Sequence, residues 1–107
     1  MNVQFKKGAL ELCVLSKLLR KDCYGYELTD ALSQRMVIAT GTLYLILKRL
    51  RDDAYVETYL VESAEGPARK YYHLTEKGRK YQMKLKEEWM DFVQTVQEII
   101  DESTSTR

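Results

Sequence analysis

His73 is the only histidine of the 107-residue chain, and Cys13 and Cys23 are its only cysteines. That inventory limits the chemistry. A four-ligand zinc site would have to be completed by carboxylates, and two thiols do not make a disulfide framework. One histidine leaves one candidate for a histidine-based triad, and no serine lies in a G-x-S-x-G turn that would expose a nucleophile. No G-x-G-x-x-G or P-loop run is present to cradle a phosphate cofactor. The sequence predicts no catalytic residue, no metal ligand set and no cofactor, so an enzyme has no constellation behind it.

The remaining chemistry is that of charge and aromatic surface. The formal net charge is only +1, but its distribution is uneven. Between Gly66 and Lys80, Arg69, Lys70, Lys77, Arg79 and Lys80 face a single acid, Glu76, for a net +4. Between Lys84 and Glu102, Lys84 and Lys86 are outnumbered by Glu87, Glu88, Asp91, Glu98, Asp101 and Glu102, for a net −4. A basic middle and an acidic tail cancel in the total while giving two parts of the molecule opposite tasks.

The elements that position these charges follow from hydrophobic period. With 45% hydrophobic and 31% charged residues the chain is apolar enough to fold, and its length suits one compact unit. Lys6 to Leu19 sets Ala9, Leu12, Cys13, Leu15, Ser16, Leu18 and Leu19 at helical spacings, predicting a first helix. Asp22 to Tyr26 breaks the pattern, and Glu27 to Ser33 resumes it as a short second helix. After a linker from Gln34 to Ala39, Thr40 stands where an N-cap hydroxyl is wanted. Leu43, Ile46, Leu47 and Leu50 then repeat at three and four residues, predicting a third helix over 41–53.

Beyond Ala54 the period changes. Tyr55 to Glu62 is rich in aromatic and β-branched residues, Glu65-Gly66-Pro67 marks a turn, and Arg69 to Leu74 reads as the returning strand of a two-stranded ribbon. Thr75 can cap a last, long helix from about Glu76 to Asp101, followed by a polar tail expected to fray. The predicted fold is mainly α with a small β-hairpin: a winged helix-turn-helix domain over 1–75, then a long C-terminal dimerisation helix and tail over 76–107.

Three stretches then carry a resemblance. Tyr24-Gly25-Tyr26-Glu27-Leu28, Gly41-Thr42-Leu43-Tyr44 and the run from Gly66-Pro67-Ala68-Arg69-Lys70-Tyr71-Tyr72-His73-Leu74 to Thr75-Glu76-Lys77-Gly78 resemble the PadR family of bacterial transcriptional regulators, in its short form with a single C-terminal helix. Order and spacing match over almost the whole chain. Two positions depart: Leu45 stands where many members carry proline, and Ala54 where glycine is frequent. The resemblance implies a transcriptional regulator that binds double-stranded DNA as a repressor.

In such a fold the third helix enters the major groove and the hairpin tip meets the backbone or minor groove. Opposite the apolar face of the third helix lie Thr42, Leu45, Lys48, Arg49 and Asp52. Lys48 and Arg49 can bind phosphate, and Arg49 could instead fork onto a guanine edge. Thr40, Thr42 and Tyr44 sit at the helix's positive end, where hydroxyls can donate to phosphate. Leu45 suits a thymine methyl; equally, it suits packing against the wing or a partner chain. Arg69 and Lys70 would reach phosphates from the wing. The plain alternative for all of these cations is a solvated face and a charged, solubilising hairpin.

The last helix carries a stripe. Leu85, Trp89, Phe92, Val93, Val96, Ile99 and Ile100 fall on one side near a 3.5-residue repeat, a seam for a second copy of the chain, the alternative being burial within one chain. Met83 and Met90 lie on the opposite face, where the first helix of either chain could meet them. The family resemblance also implies a small aromatic effector stacked between subunits, for which Trp89 and Phe92 are the candidates. The rival function is a dimeric winged-helix adaptor module that binds protein and not DNA. No apolar run approaches the roughly 20 residues of a membrane span, and Met1 to Lys7 have no apolar block behind the basic pair. No membrane association and a cytoplasmic location are expected.

Overall fold

The computed structural model describes residues 3–104, with side chains from residue 8 onward. The chain forms four helices and a small sheet: α1 (Val3–Arg20), β1 (Cys23–Tyr24), α2 (Gly25–Met36), α3 (Thr40–Asp52), β2 (Val56–Val61), β3 (Arg69–Leu74) and α4 (Glu76–Thr104). The core is built by α1, α2, α3, β2 and β3, with β1 and α4 packed against it. Leu10, Val14, Leu15 and Leu18 of α1 meet Leu28 and Leu32 of α2, Leu43, Ile46, Leu47 and Leu50 of α3, and Val56, Tyr72 and Leu74 of the sheet. Each such leucine contributes about 2 kcal/mol by leaving water. The buried side of α1 is thus rotated from the expected one, and Leu19 remains 38% exposed.

Three expectations are corrected. The ribbon has a third strand: β1 pairs antiparallel with β3, Cys23 opposite Tyr72 and Tyr24 opposite Tyr71, giving the order β1-β3-β2. Two residues are too few to show an alternation, so the sequence presents this strand only as a broken helical pattern. Helix α2 begins at Gly25 and runs to Met36, so the expected linker shrinks to three residues. It closes on Val37 in the left-handed region, φ 49°, where a β-branched residue is strained and where no glycine or asparagine announces the turn. Thr40, expected as the cap of α3, is its first helical residue; Ala39 is the N-cap, with no side-chain hydrogen bond, and its carbonyl accepts from Thr42 N–H at 3.1 Å.

The joint between α3, the wing and α4 is closely tied. Helix α3 ends in a Schellman turn: Tyr55 N–H donates to the Leu50 carbonyl at 2.9 Å and Ala54 N–H to that of Arg51 at 3.0 Å. Ala54 occupies the left-handed position, φ 65°. Ala54→Gly is therefore expected to stabilise the protein by about 0.5 to 1 kcal/mol, seen as a higher urea midpoint; an unchanged or lower midpoint contradicts it. Thr75 caps α4 as expected, accepting from Gly78 N–H at 3.0 Å while its single hydroxyl hydrogen is shared between the Ala54 and Tyr55 carbonyls at 2.8 and 3.0 Å. Lys77 Nζ donates to the Asp53 carbonyl at 2.8 Å, and Tyr55 stacks on Tyr81 with centroids 4.1 Å apart.

Helix α4 packs its first turns on α1 through Tyr81, Leu85 and the buried Gln82, whose amide donates to Ser16 Oγ at 3.1 Å. The helix persists past the expected end, through Ser103 and Thr104. The expected frayed tail otherwise falls at residues 105–107, outside the described residues, as do the first two residues of the N-terminal segment.

Candidate nucleic-acid interface

Helix α3 buries Leu43, Ile46, Leu47 and Leu50 and leaves every other residue exposed. At about 100° per residue, Gly41, Leu45, Lys48 and Asp52 point straight outward, Tyr44 and Arg51 lie on one flank, and Thr42 and Arg49 on the other. Leu45 is 68% exposed, so within its own chain the wing does not cover it. Lys48 Nζ pairs with Asp52 at 3.2 Å, both side chains more than half exposed, an ion pair too well solvated to resist a phosphate. Arg49 is turned toward α1, its Nη1 4.0 Å from Glu11 Oε1.

Strand alternation places the wing cations on opposite faces. Arg69 lies on the outer face with Tyr71, Tyr59 and Tyr24, its guanidinium 5.1 Å above the Tyr24 ring. The three rings form a ladder across the sheet, Tyr59 to Tyr71 at 5.7 Å and Tyr71 to Tyr24 at 6.0 Å. Lys70 shares the inner face with Tyr72 and Leu74, on the side of α3 but beyond the core. Leu45 and Lys48 thus point outward from α3 with Tyr44 on its flank, Lys70 lies on the inner face of the wing, and Arg49 and Arg69 are turned to Glu11 and Tyr24 respectively.

The side chains that opened the chemical inventory are held in structural roles. His73 Nδ1 lies 2.8 Å from Asp22 Oδ1, and Tyr59 Oη donates to Asp22 Oδ2 at 2.6 Å. The Tyr59 hydrogen bond, seconded by His73 and opposed by partial desolvation, keeps the Asp22 carboxyl below its ordinary range, while the Tyr59 phenol is pushed up to about 12. Asp22, in the turn after α1, so ties both wing strands to the body of the domain. Burial pushes the thiols of Cys13 and Cys23 up, away from the thiolate form. Among the described residues, no three His, Cys, Asp or Glu side chains gather to hold a metal ion, and no helix is long and apolar enough to cross a membrane.

Along α4, Leu85 is partly buried against its own chain's core, and Trp89 is half-buried. With Leu12 of α1 and Phe92 they border a shallow groove of about 190 Å³. From Asp91 to Thr104 every side chain is exposed. Met83 and Met90, on the opposite side, are 60% and 56% exposed, so α1 of the same chain leaves them open.

Arg51 is the one cation of α3 missing from the sequence-derived set, although the same helical arithmetic puts it beside Tyr44. The contrast that could have found it, one arginine facing α1 and another facing the wing, depends on where those elements pack.

A helix open along one face, joined through a short turn to a supporting helix and flanked by a three-stranded wing, defines a winged helix-turn-helix DNA-binding protein. Residues 14–84 match the transcriptional regulator PadR-like family. A PadR-like transcriptional regulator of Bacillus cereus is 34% identical with a TM-score of 0.81, covering 92% of this chain and 98% of that one. A Streptococcus transcriptional regulator is 33% identical with a TM-score of 0.82 over the same shares of the two chains. A Lysinibacillus sphaericus protein described as uncharacterized protein X is 36% identical over 99 residues, 89% of this chain and 87% of its own length. The chain belongs to the PadR-like family: it is a DNA-binding transcriptional regulator and not an enzyme.

Proposed function

We propose that the protein acts in the cytoplasm as a homodimeric repressor on a two-fold symmetric operator. The observation that carries the reading is the pairing, in one chain, of a fully open outer face on α3 with an uncovered apolar stripe on α4. Residues 1–75 supply the reading unit and 76–107 the means of pairing two of them. Phe92, Val93, Val96, Ile99 and Ile100 are 37 to 60% exposed on α4, an apolar stripe on a helix that carries the molecule to 66 Å in its longest dimension against 28 and 22 Å in the others. A second copy of the same stripe, related by two-fold symmetry, covers it without adding an open end. Trp89 and Leu85 adjoin the stripe where α4 leaves its own α1.

In the DNA complex, α3 enters the major groove with Leu45 on a thymine methyl, Thr40, Thr42 and Tyr44 at phosphates near the helix's positive end, and Lys48 released from Asp52 to the backbone. Arg69 and Lys70 reach the backbone from the two faces of the wing. Arg49, turned toward Glu11 of α1, stays outside this set. A flat aromatic effector would stack on Trp89 and Phe92 at the subunit seam, where the groove lined by Leu12 and Leu85 already opens. It would act by favouring one dimer shape over another, to the extent of its difference in affinity for the two.

Binding of a labelled duplex, followed by anisotropy, tests the DNA reading. Six cations, Lys48, Arg69 and Lys70 from each subunit, predict a slope of log affinity against log salt at least as steep as about −5. A folded dimer whose affinity for the duplex is negligible even at low salt would instead be the adaptor module.

A further inference from the structure

Helix α3 carries three cations, and their surroundings differ. Arg49 faces Glu11, a carboxylate on α1 whose side chain is only 11% exposed and which also accepts from Tyr81 Oη at 3.3 Å. Burial pushes the Glu11 carboxyl above its ordinary range, partly offset by the Tyr81 bond. Withdrawing Arg49 toward DNA would leave that carboxylate without its nearest cation in a poorly solvated place, which is costly. Lys48 is paired with Asp52 in open solvent and is free to leave.

Arg51 is different. It follows Tyr44 by two turns and shares its flank, and the Tyr44 ring packs at the start of α2: a Cβ on Gly25 would lie 3.6 Å from Tyr44 Cε1 and 3.0 Å from Tyr72 Cε1. That flank therefore looks across to β3, where burial pushes the Tyr72 phenol up and the charge of Arg51 partly offsets it. Two residues along the same face of β3, toward the wing tip, stands Lys70. Among the described residues no carboxylate pairs with Arg51 or with Lys70, and both are exposed. Two unpaired cations of different elements turned into one angle of the surface make an electropositive notch, a setting for an extended anion.

We propose that Arg51 and Lys70 form a clamp for the DNA phosphate backbone in the angle between α3 and the wing, and that Arg49 serves as a strut to Glu11 that holds α3 on α1. This rests on the DNA-binding reading above and reassigns the arginine work within it. The clamp also gives the wing a defined inner partner: Lys70 faces the helix, while Arg69 is held on the outer face by Tyr24.

The test uses the full chain and a duplex enriched by the wild-type protein from a randomised pool, with affinity measured across a salt series. Arg51→Gln is expected to weaken binding about tenfold or more near physiological salt and to flatten the log–log slope by about 1 for each Arg51 seated on a phosphate. Arg51→Lys should keep the slope, and Lys70→Gln should flatten it as Arg51→Gln does. Arg49→Gln and Glu11→Gln should leave the slope unchanged and lower the melting temperature. Circular dichroism confirms that each variant is folded before binding is read. An Arg51→Gln protein with wild-type affinity and slope, or an Arg49→Gln protein that loses slope while melting normally, overturns the assignment. If the wild-type protein enriches no duplex, the DNA-binding reading itself fails, and the clamp with it.

Discussion

Truncating Val96 and Ile100 to alanine together is expected to weaken self-association nearly a thousandfold while leaving the winged unit folded. Both residues lie on the part of α4 where every side chain is exposed in the isolated chain, Val96 at 37% and Ile100 at 49%. Their loss costs the single chain little. In a two-fold dimer each is buried twice, so four side chains are shortened, and about 1 kcal/mol for each is a conservative figure for large-to-small changes in a packed seam. About 4 kcal/mol corresponds to a factor of about a thousand in dissociation constant. Sedimentation equilibrium measures it directly. A wild-type chain that is monomeric at micromolar concentration, or a double variant that associates as tightly as the wild type, would remove the seam and with it the symmetric operator.

Gly78→Ala is expected to destabilise the protein by about 3 kcal/mol, a fall of more than 10 °C in Tm. A Cβ at this position would run into the Tyr55 carbonyl oxygen and lie 2.7 Å from Leu74 Cδ1. The carbonyl cannot retreat cheaply, because it accepts from the Thr75 N–H at 3.1 Å and the Thr75 hydroxyl at 3.0 Å. Yielding would pull α4 away from the end of α3. Gly41→Ala is the control: its Cβ would meet nothing within 4 Å, and alanine in a helix is expected to be neutral or mildly stabilising. Thermal melts of the two variants side by side decide the matter, and equal melting temperatures would contradict the close approach.

Both variants act on features of unequal legibility. The stripe containing Val96 and Ile100 is periodic, and periodicity is local information: a 3.5-residue repeat of large apolar side chains marks an apolar helix face, whatever comes to cover it. The same holds for the buried faces of α2 and α3, and for the cap at Thr75, where a hydroxyl stands three residues before the N–H it accepts. Gly78 stands out in the sequence only as part of a family motif, since nothing near it in the chain says that the Tyr55 carbonyl will lie against it.

The division runs through the interface in the same way. The sequence by itself determined which residues of α3 face outward, that the wing bears cations, that catalysis lacks its residues and that the last helix carries an apolar side, because each follows from residue type and a fixed helical or strand period. Only the tertiary structure decided what the outward residues look at. Thr40 lost its capping role to the backbone of Ala39, two residues after Asp22 became a strand because β3 was there to pair with them, and Arg49 and Arg51, two positions apart, were sent to opposite neighbours. The physical reason is that helical phase sets the direction of a side chain, whereas its partner is set by elements far away in sequence: Glu11 lies 38 residues before Arg49, and Tyr72 lies 21 after Arg51.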